Sequence, residues 1–172
     1  GKLHNAGIKV TTAFHDSPAW SIERGHYSAD FMGVYNTYYN AAKTYGDTIN
    51  MWECWNEEDT AFASEPADVY AAFMKAMAIG VADADVGSTT CIGGFAGGAH
   101  ETTFMDLCMQ NGLLDYTAAY NCHVYGAKTS QDILPHTEFE EQESHLNLIY
   151  TYGDTYDTPM WVTEGGMSRQ IP

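Results

Sequence analysis

Positive charge is what this sequence has least of. Its 172 residues carry 7 Lys and Arg against 23 Asp and Glu, a formal net charge of -16. So acidic a surface repels phosphate backbones and anionic lipid, which argues against nucleic-acid and membrane partners. No run of about 18 apolar residues is present, so no transmembrane helix is expected. No signal peptide is visible, and the chain opens on Gly1 rather than Met, as a processed, tagged or excerpted chain would. Cysteines are few. Cys54, Cys91, Cys108 and Cys122 contain no C-x-x-C pair, and no His lies at zinc-finger spacing. Buried free thiols are expected, with a Cys91–Cys122 bridge between neighbouring strands as the alternative. The 7 His residues include no H-x-x-x-H or H-x-H pair, so neither a catalytic metal nor a cofactor is expected. The glycine-rich run 93–98 lacks both the Gly-Lys-Ser/Thr ending and the G-x-G-x-x-G spacing of phosphate sites. It reads instead as a loop passing close to a pocket.

What is present is ordinary for a globular protein: 45% hydrophobic and 17% charged residues, in a chain long enough for one domain spanning residues 1–172. Aromatics make up 13% of the chain, either as core filling or as platforms for sugar faces. Residues 8–14, rich in β-branched side chains, read as a buried strand. A helix follows over 28–45, with Phe31, Val34, Tyr35, Tyr38, Tyr39 and Ala42 on one stripe. Residues 48–55 form the next strand. Ser64 reads as the N-cap of a helix ending near 82. Strands at 89–93, 117–124 and 160–163 alternate with helices at 102–111 and 138–152, the last burying Phe139, Leu146 and Ile149. Strands alternating with helices through short connections imply parallel strands with right-handed crossovers. Periodicity leaves two architectures open, a doubly wound sheet and part of a (β/α)8 barrel.

In either architecture, function gathers at the carboxyl ends of the strands. Those ends read Phe14-His15-Asp16, Trp55-Asn56-Glu57-Glu58-Asp59, Gly93 to Gly98, His123-Val124-Tyr125-Gly126 and Thr163-Glu164-Gly165-Gly166. Two carboxylates, Glu57 and Glu164, each close an apolar strand, where an unpaired acid would be costly without a purpose. A facing carboxylate pair is what glycosidic cleavage requires.

The run Met51-Trp52-Glu53-Cys54-Trp55-Asn56-Glu57 resembles the W-E-x-W-N-E end of the fourth strand in the largest clan of (β/α)8 glycoside hydrolases. Met160-Trp161-Val162-Thr163-Glu164-Gly165-Gly166 resembles the W-x-T-E-x-G end of that clan's seventh strand, and His123-Val124-Tyr125 the H-x-Y end of its sixth. The resemblance implies an α/β fold of the TIM-barrel type, here a partial barrel of about five βα units matching strands three to seven. It also implies roles. Glu57 would be the general acid/base and Glu164 the nucleophile of a retaining hydrolase of β-glycosidic bonds. Asn56 would hold the sugar 2-hydroxyl, and Tyr125 would donate to Glu164. His123 would line the pocket, as a sugar contact or behind one. His15 would face the cleft or be a satisfied structural histidine. Trp20 would be a sugar platform or a packing residue.

Two features depart from the clan. Glu58 stands where many members have Pro; it would raise the pKa of the acid/base or face solvent. The chain is also shorter than a complete barrel of about 250 residues. Five strands cannot close, so exposed edges would favour self-association. The implied partner is a carbohydrate substrate, met in the extracellular space or periplasm during polysaccharide degradation. A non-catalytic carbohydrate-binding or assembly protein built from a truncated barrel is the other reading.

Overall fold

A computed structural model of the protein describes residues 2–22, 25–63, 65–96, 102–125, 136–152 and 158–166. Among these residues five strands alternate with helices. In order they are α1 (Lys2–Asn5), β1 (Thr11–Phe14), α2 (Phe31–Tyr45), β2 (Met51–Cys54), α3 (Ala67–Asp83), β3 (Thr89–Ile92), α4 (Thr102–Gln110), β4 (Tyr120–Tyr125), α5 (His136–Tyr152) and β5 (Met160–Gly166). The elements fall where the sequence pattern puts them, with most strands starting about three residues late. Ser64, expected as a cap, lies outside the described residues, as do the side chains of Phe139 and Tyr125. The cap of α2 is Asp30, whose Oδ1 accepts from the Gly33 N–H at 2.8 Å.

All strand pairings among the described residues are parallel. β1, β2 and β3 form one ladder and β4 and β5 another. The ladders meet through a bridge between Phe95 and Cys122, where the His123 N–H donates to the Phe95 carbonyl at 2.8 Å. Spatial order therefore follows chain order from β1 to β5. This is the arrangement of consecutive barrel strands, and it contains no reversal of the kind a doubly wound sheet requires.

Period-two alternation gives the strands two unlike faces. Trp52 and Cys54 of β2, Ile92 of β3, and Tyr120, Cys122 and Val124 of β4 join the main core together with Tyr38, Tyr70, Met74, Met105 and Ile149 from the helices. The opposite face carries a small apolar floor of Met51, Cys91 and Ala119, and polar side chains above it. The four cysteines are buried and free, so no bridge joins Cys91 to Cys122.

The outer strands are open. Phe14 of β1 is 41% exposed, and Trp161 and Val162 of β5 are 39% and 46% exposed. No helix of the described residues is long and apolar enough to cross a membrane.

Candidate active site

The polar face rises in layers above the Met51, Cys91 and Ala119 floor. Glu53, Asn121 and Thr163 form the first layer. Asn121 Nδ2 donates to Glu53 Oε1 at 2.7 Å and to the Ile92 carbonyl at 3.2 Å. With both amide hydrogens used, its Oδ1 takes the Thr163 hydroxyl at 3.0 Å. Glu57, His123 and Glu164 meet in the layer above. His123 Nδ1 lies 2.9 Å from Glu57 Oε1 and 3.7 Å from Glu164 Oε2, and its Nε2 lies 3.9 Å from Glu53 Oε1. One oxygen of Glu57, one of Glu164 and the His123 nitrogen all fall within 4.8 Å of one another. Spacing alone would let this trio hold a cation. It equally suits a proton-sharing cluster, with an imidazole set against two carboxylates.

Local backbone geometry aims these groups. Trp55 and Glu57 have φ of 73° and 46°, a left-handed conformation that costs a non-glycine residue on the order of 1–3 kcal/mol. Surrounding contacts hold them there. The Trp55 N–H donates to the Phe14 carbonyl at 3.1 Å, its indole N–H donates to the Phe62 carbonyl at 3.0 Å, and its ring packs 4.7 Å from Tyr27. The Glu57 carbonyl accepts from both the Thr60 N–H and hydroxyl. On β5 a register shift opposite Cys122 and His123 pairs Cys122 with Val162 but His123 with Glu164. Thr163 is the extra residue. Such a bulge re-aims side chains, and here it turns two consecutive residues, Thr163 and Glu164, toward the same polar face.

Glycine provides the space for His123. A Cβ on Gly94 would fall on the imidazole, and one on Gly93 would strike the Cys54 carbonyl and the Glu58 carboxyl. The expected close passage of the glycine-rich loop is thus present at its first two residues; residues 97–98 lie outside the described set.

The two main carboxylates have unlike settings. The Glu57 side chain is 17% exposed and that of Glu164 48%. Burial pushes the Glu53 carboxyl above the usual carboxylate range, against the pull of His123 and of the Gly94, Thr163 and Asn121 donors. Glu58 departs from the expectation that it faces solvent. It is 1% exposed, so it does not face solvent, and burial holds its carboxyl well above the usual carboxylate range. Neither oxygen makes a well-formed hydrogen bond among the described residues. The Tyr70 hydroxyl beside it donates to the Cys54 carbonyl at 3.0 Å and accepts from the Gly93 N–H at 3.1 Å.

Of the other expected site residues, Asn56 is partly buried between Trp55 and Glu57. His123 is buried against the carboxylates. His15 is half exposed at the end of β1, with Nδ1 3.3 Å from Asp16 Oδ2 and its ring 6.4 Å from that of Trp55. Trp20 is 83% exposed and lines a pocket of about 160 Å³ with Phe14, Trp55 and residues of α2. That pocket opens on the helix side of β1, whereas the carboxylates lie on the opposite face. Sequence reasoning assigned no role to Glu53, Asn121 or Thr163. The alternation within β2, which sets Glu53 opposite Trp52 and Cys54, was the available signal for the first.

Comparison with known proteins gives the architecture a context. No family model and no curated protein matches the sequence. Solved structures do match. A family 39 glycoside hydrolase from Bacteroides cellulosilyticus superposes with a TM-score of 0.72 at 20% identity, covering 95% of this chain and 37% of that one. A glucosidase from Croceicoccus marinus gives 0.69 at 16% identity, with 99% and 37% covered. The GH53 catalytic domain of Ignisphaera aggregans gives 0.62 at 19%, with 95% and 48% covered. The chain thus spans less than half the length of these structures. Over that length its fold is that of a partial (β/α)8 barrel, shared with glycoside hydrolases.

Proposed function

We propose that this chain carries the catalytic pair of a retaining glycoside hydrolase acting on β-linked oligo- or polysaccharides. The observation that carries the reading is the approach of Glu57 and Glu164, whose oxygens lie within 4.8 Å across the ends of β2 and β5. Retaining enzymes set their carboxyl groups about 5–5.5 Å apart, whereas inverting enzymes leave about 6.5–9.5 Å for an intervening water. The close spacing favours direct attack.

In the first step the Glu164 carboxylate attacks the anomeric carbon. The bond from that carbon to the leaving oxygen breaks, and the Glu57 carboxyl gives its proton to that oxygen. In the second step Glu57 takes a proton from water, whose oxygen adds to the anomeric carbon and frees Glu164. The unlike settings suit these roles: the enclosed Glu57 serves as the proton donor and the half-exposed Glu164 as the group that meets the sugar. Asn56, next to Glu57, would hold the 2-hydroxyl, and Tyr125, two residues beyond His123, would donate to Glu164. His15 would contact the sugar from the end of β1, whereas Trp20, on the helix side of that strand, would lie away from it. The site takes a carbohydrate substrate in an extracellular or periplasmic setting and works without a cofactor.

The open apolar residues on β1 and β5 favour a second reading, in which the partial barrel binds carbohydrate or self-associates without catalysis. Turnover of a panel of aryl β-glycosides, with product stereochemistry followed by proton NMR, separates the two. The proposal expects the β-anomer as first product. Release of the α-anomer first, or no turnover anywhere in the panel, overturns it.

A further inference from the structure

Glu53 is a buried carboxylate that the two-step reaction does not use, yet it contacts every element that carries the catalytic pair. It projects from β2 one layer below Glu57. Its Oε1 accepts from the Gly94 N–H after β3 at 3.2 Å and from Asn121 Nδ2 of β4 at 2.7 Å, and it lies 3.3 Å from the Thr163 hydroxyl of β5. His123 Nε2 stands 3.9 Å away. A single oxygen therefore ties β2, β3, β4 and β5 together at the level where the two strand ladders are joined by the Phe95–Cys122 bridge.

We propose that Glu53 is a positioning residue for the catalytic pair, fixing Thr163 and His123 and through them the spacing and aim of Glu164 and Glu57. This inference rests on the reading of Glu57 and Glu164 as acid/base and nucleophile.

Two arms carry the effect. Thr163 is the bulged residue immediately before Glu164. A bulge leaves its extra residue without a ladder partner, so the side-chain contacts of Thr163 to Asn121 and Glu53 pin it. Any slip of the bulge would rotate Glu164 off the polar face. His123 is the second arm. Its Nδ1 faces Glu57 and Glu164, its Nε2 faces Glu53, and Gly94 leaves its ring the room to sit between them. Groups that act in catalysis must be held to about 0.5 Å by the residues behind them, and an error of 1 Å can cost about 10²-fold. The polar atoms on Glu53 Oε1 make it the anchor of that support.

The test uses dinitrophenyl β-glycosides in which fluorine replaces the hydroxyl beside the anomeric carbon. Their activated leaving group needs no proton from Glu57, so the inactivation rate reads attack by Glu164 alone. Glu53→Gln keeps the size and an acceptor oxygen. The expected result is a fall of about tenfold in the inactivation rate constant, with the binding constant of a competitive inhibitor within about twofold of the parent. Thr163→Val, which leaves Glu53 intact, is expected to give a fall of similar size, and the double variant no more than either alone. A structural role would lower the thermal midpoint and leave the rate per folded molecule unchanged; that result in both variants overturns the proposal, as does full additivity. If the parent protein itself takes no label, the reading of Glu57 and Glu164 fails and this inference with it. If the parent labels and both variants label at its rate, only the inference fails.

Discussion

The same strands present two chemistries. On the helix side β2 shows Trp52 and Cys54 and β4 shows Tyr120, Cys122 and Val124, all packed into one apolar core. On the other side β2 shows Glu53, and β4 shows Asn121 and His123, with the ring of His123 set among three carboxylates. Burial is nearly complete on both sides, so burial does not distinguish them. They differ in what satisfies the buried groups: dispersion and apolar area outside, hydrogen bonds and shared charge inside. The outer face should therefore control stability and the inner face chemistry, and substitutions should separate the two.

The largest separation is expected at Glu57. On the proposed function, Glu57→Gln should lower turnover of substrates with poor leaving groups by about 10²–10⁴-fold, while urea unfolding stays near that of the parent. Loss of cooperativity in that variant would show that the inner face also carries the fold. Trp52→Ala is the converse. Trp52 is fully buried, with its ring 5.6 Å from that of Phe14 and 6.4 Å from that of Tyr38. Its removal should cost about 3–5 kcal/mol in denaturant unfolding.

Two titratable groups test the comparison from the outer side. His145 of α5 is fully buried and paired with the Tyr120 hydroxyl at 2.7 Å, and burial lowers its pKa from 6.5 to about 4. The unfolded chain takes up this proton as pH falls through 6.5, whereas the folded chain resists until about 4. Stability is therefore lost as pH falls across that window and levels off below it, a change of at most about 3 kcal/mol. His145→Gln should flatten this part of the stability profile, read from urea midpoints at several pH values. Glu58 has the opposite sense. Its folded carboxyl titrates well above 4.5, so the unfolded chain ionises first and stability falls as pH rises beyond that value. Glu58→Gln should raise the melting temperature at neutral pH and leave it little changed at acid pH; equal effects at both would show that Glu58 is charged in the folded protein.

Much of this arrangement was legible in the sequence because it follows from local rules. Short β-branched and apolar runs marked the strands, and polar residues after apolar runs marked Glu57, His123 and Glu164. The choice of a barrel over an open sheet came from the resemblance of three motifs and agrees with the strand order. What escaped depends on contacts far apart in the chain. Glu53 draws its partners from residues 94, 121 and 163, which no local pattern links to it. The β5 bulge is visible only in its register with β4. Glu58 does not face water: the left-handed turn at Glu57 sends the next residue inward, beside Tyr70 and Gly93. Phe31 fits the apolar stripe of α2 but stays 41% exposed at the helix start.

On the proposed function Glu164 is a nucleophile facing Glu57, so a covalent intermediate on it should be trappable. After incubation with the fluoro-β-glycosides, intact mass and peptide mapping should find one fluoroglycosyl group per chain, on Glu164, and none in Glu164→Gln. A label on another carboxylate, or none under conditions where aryl glycosides are turned over, would contradict the account.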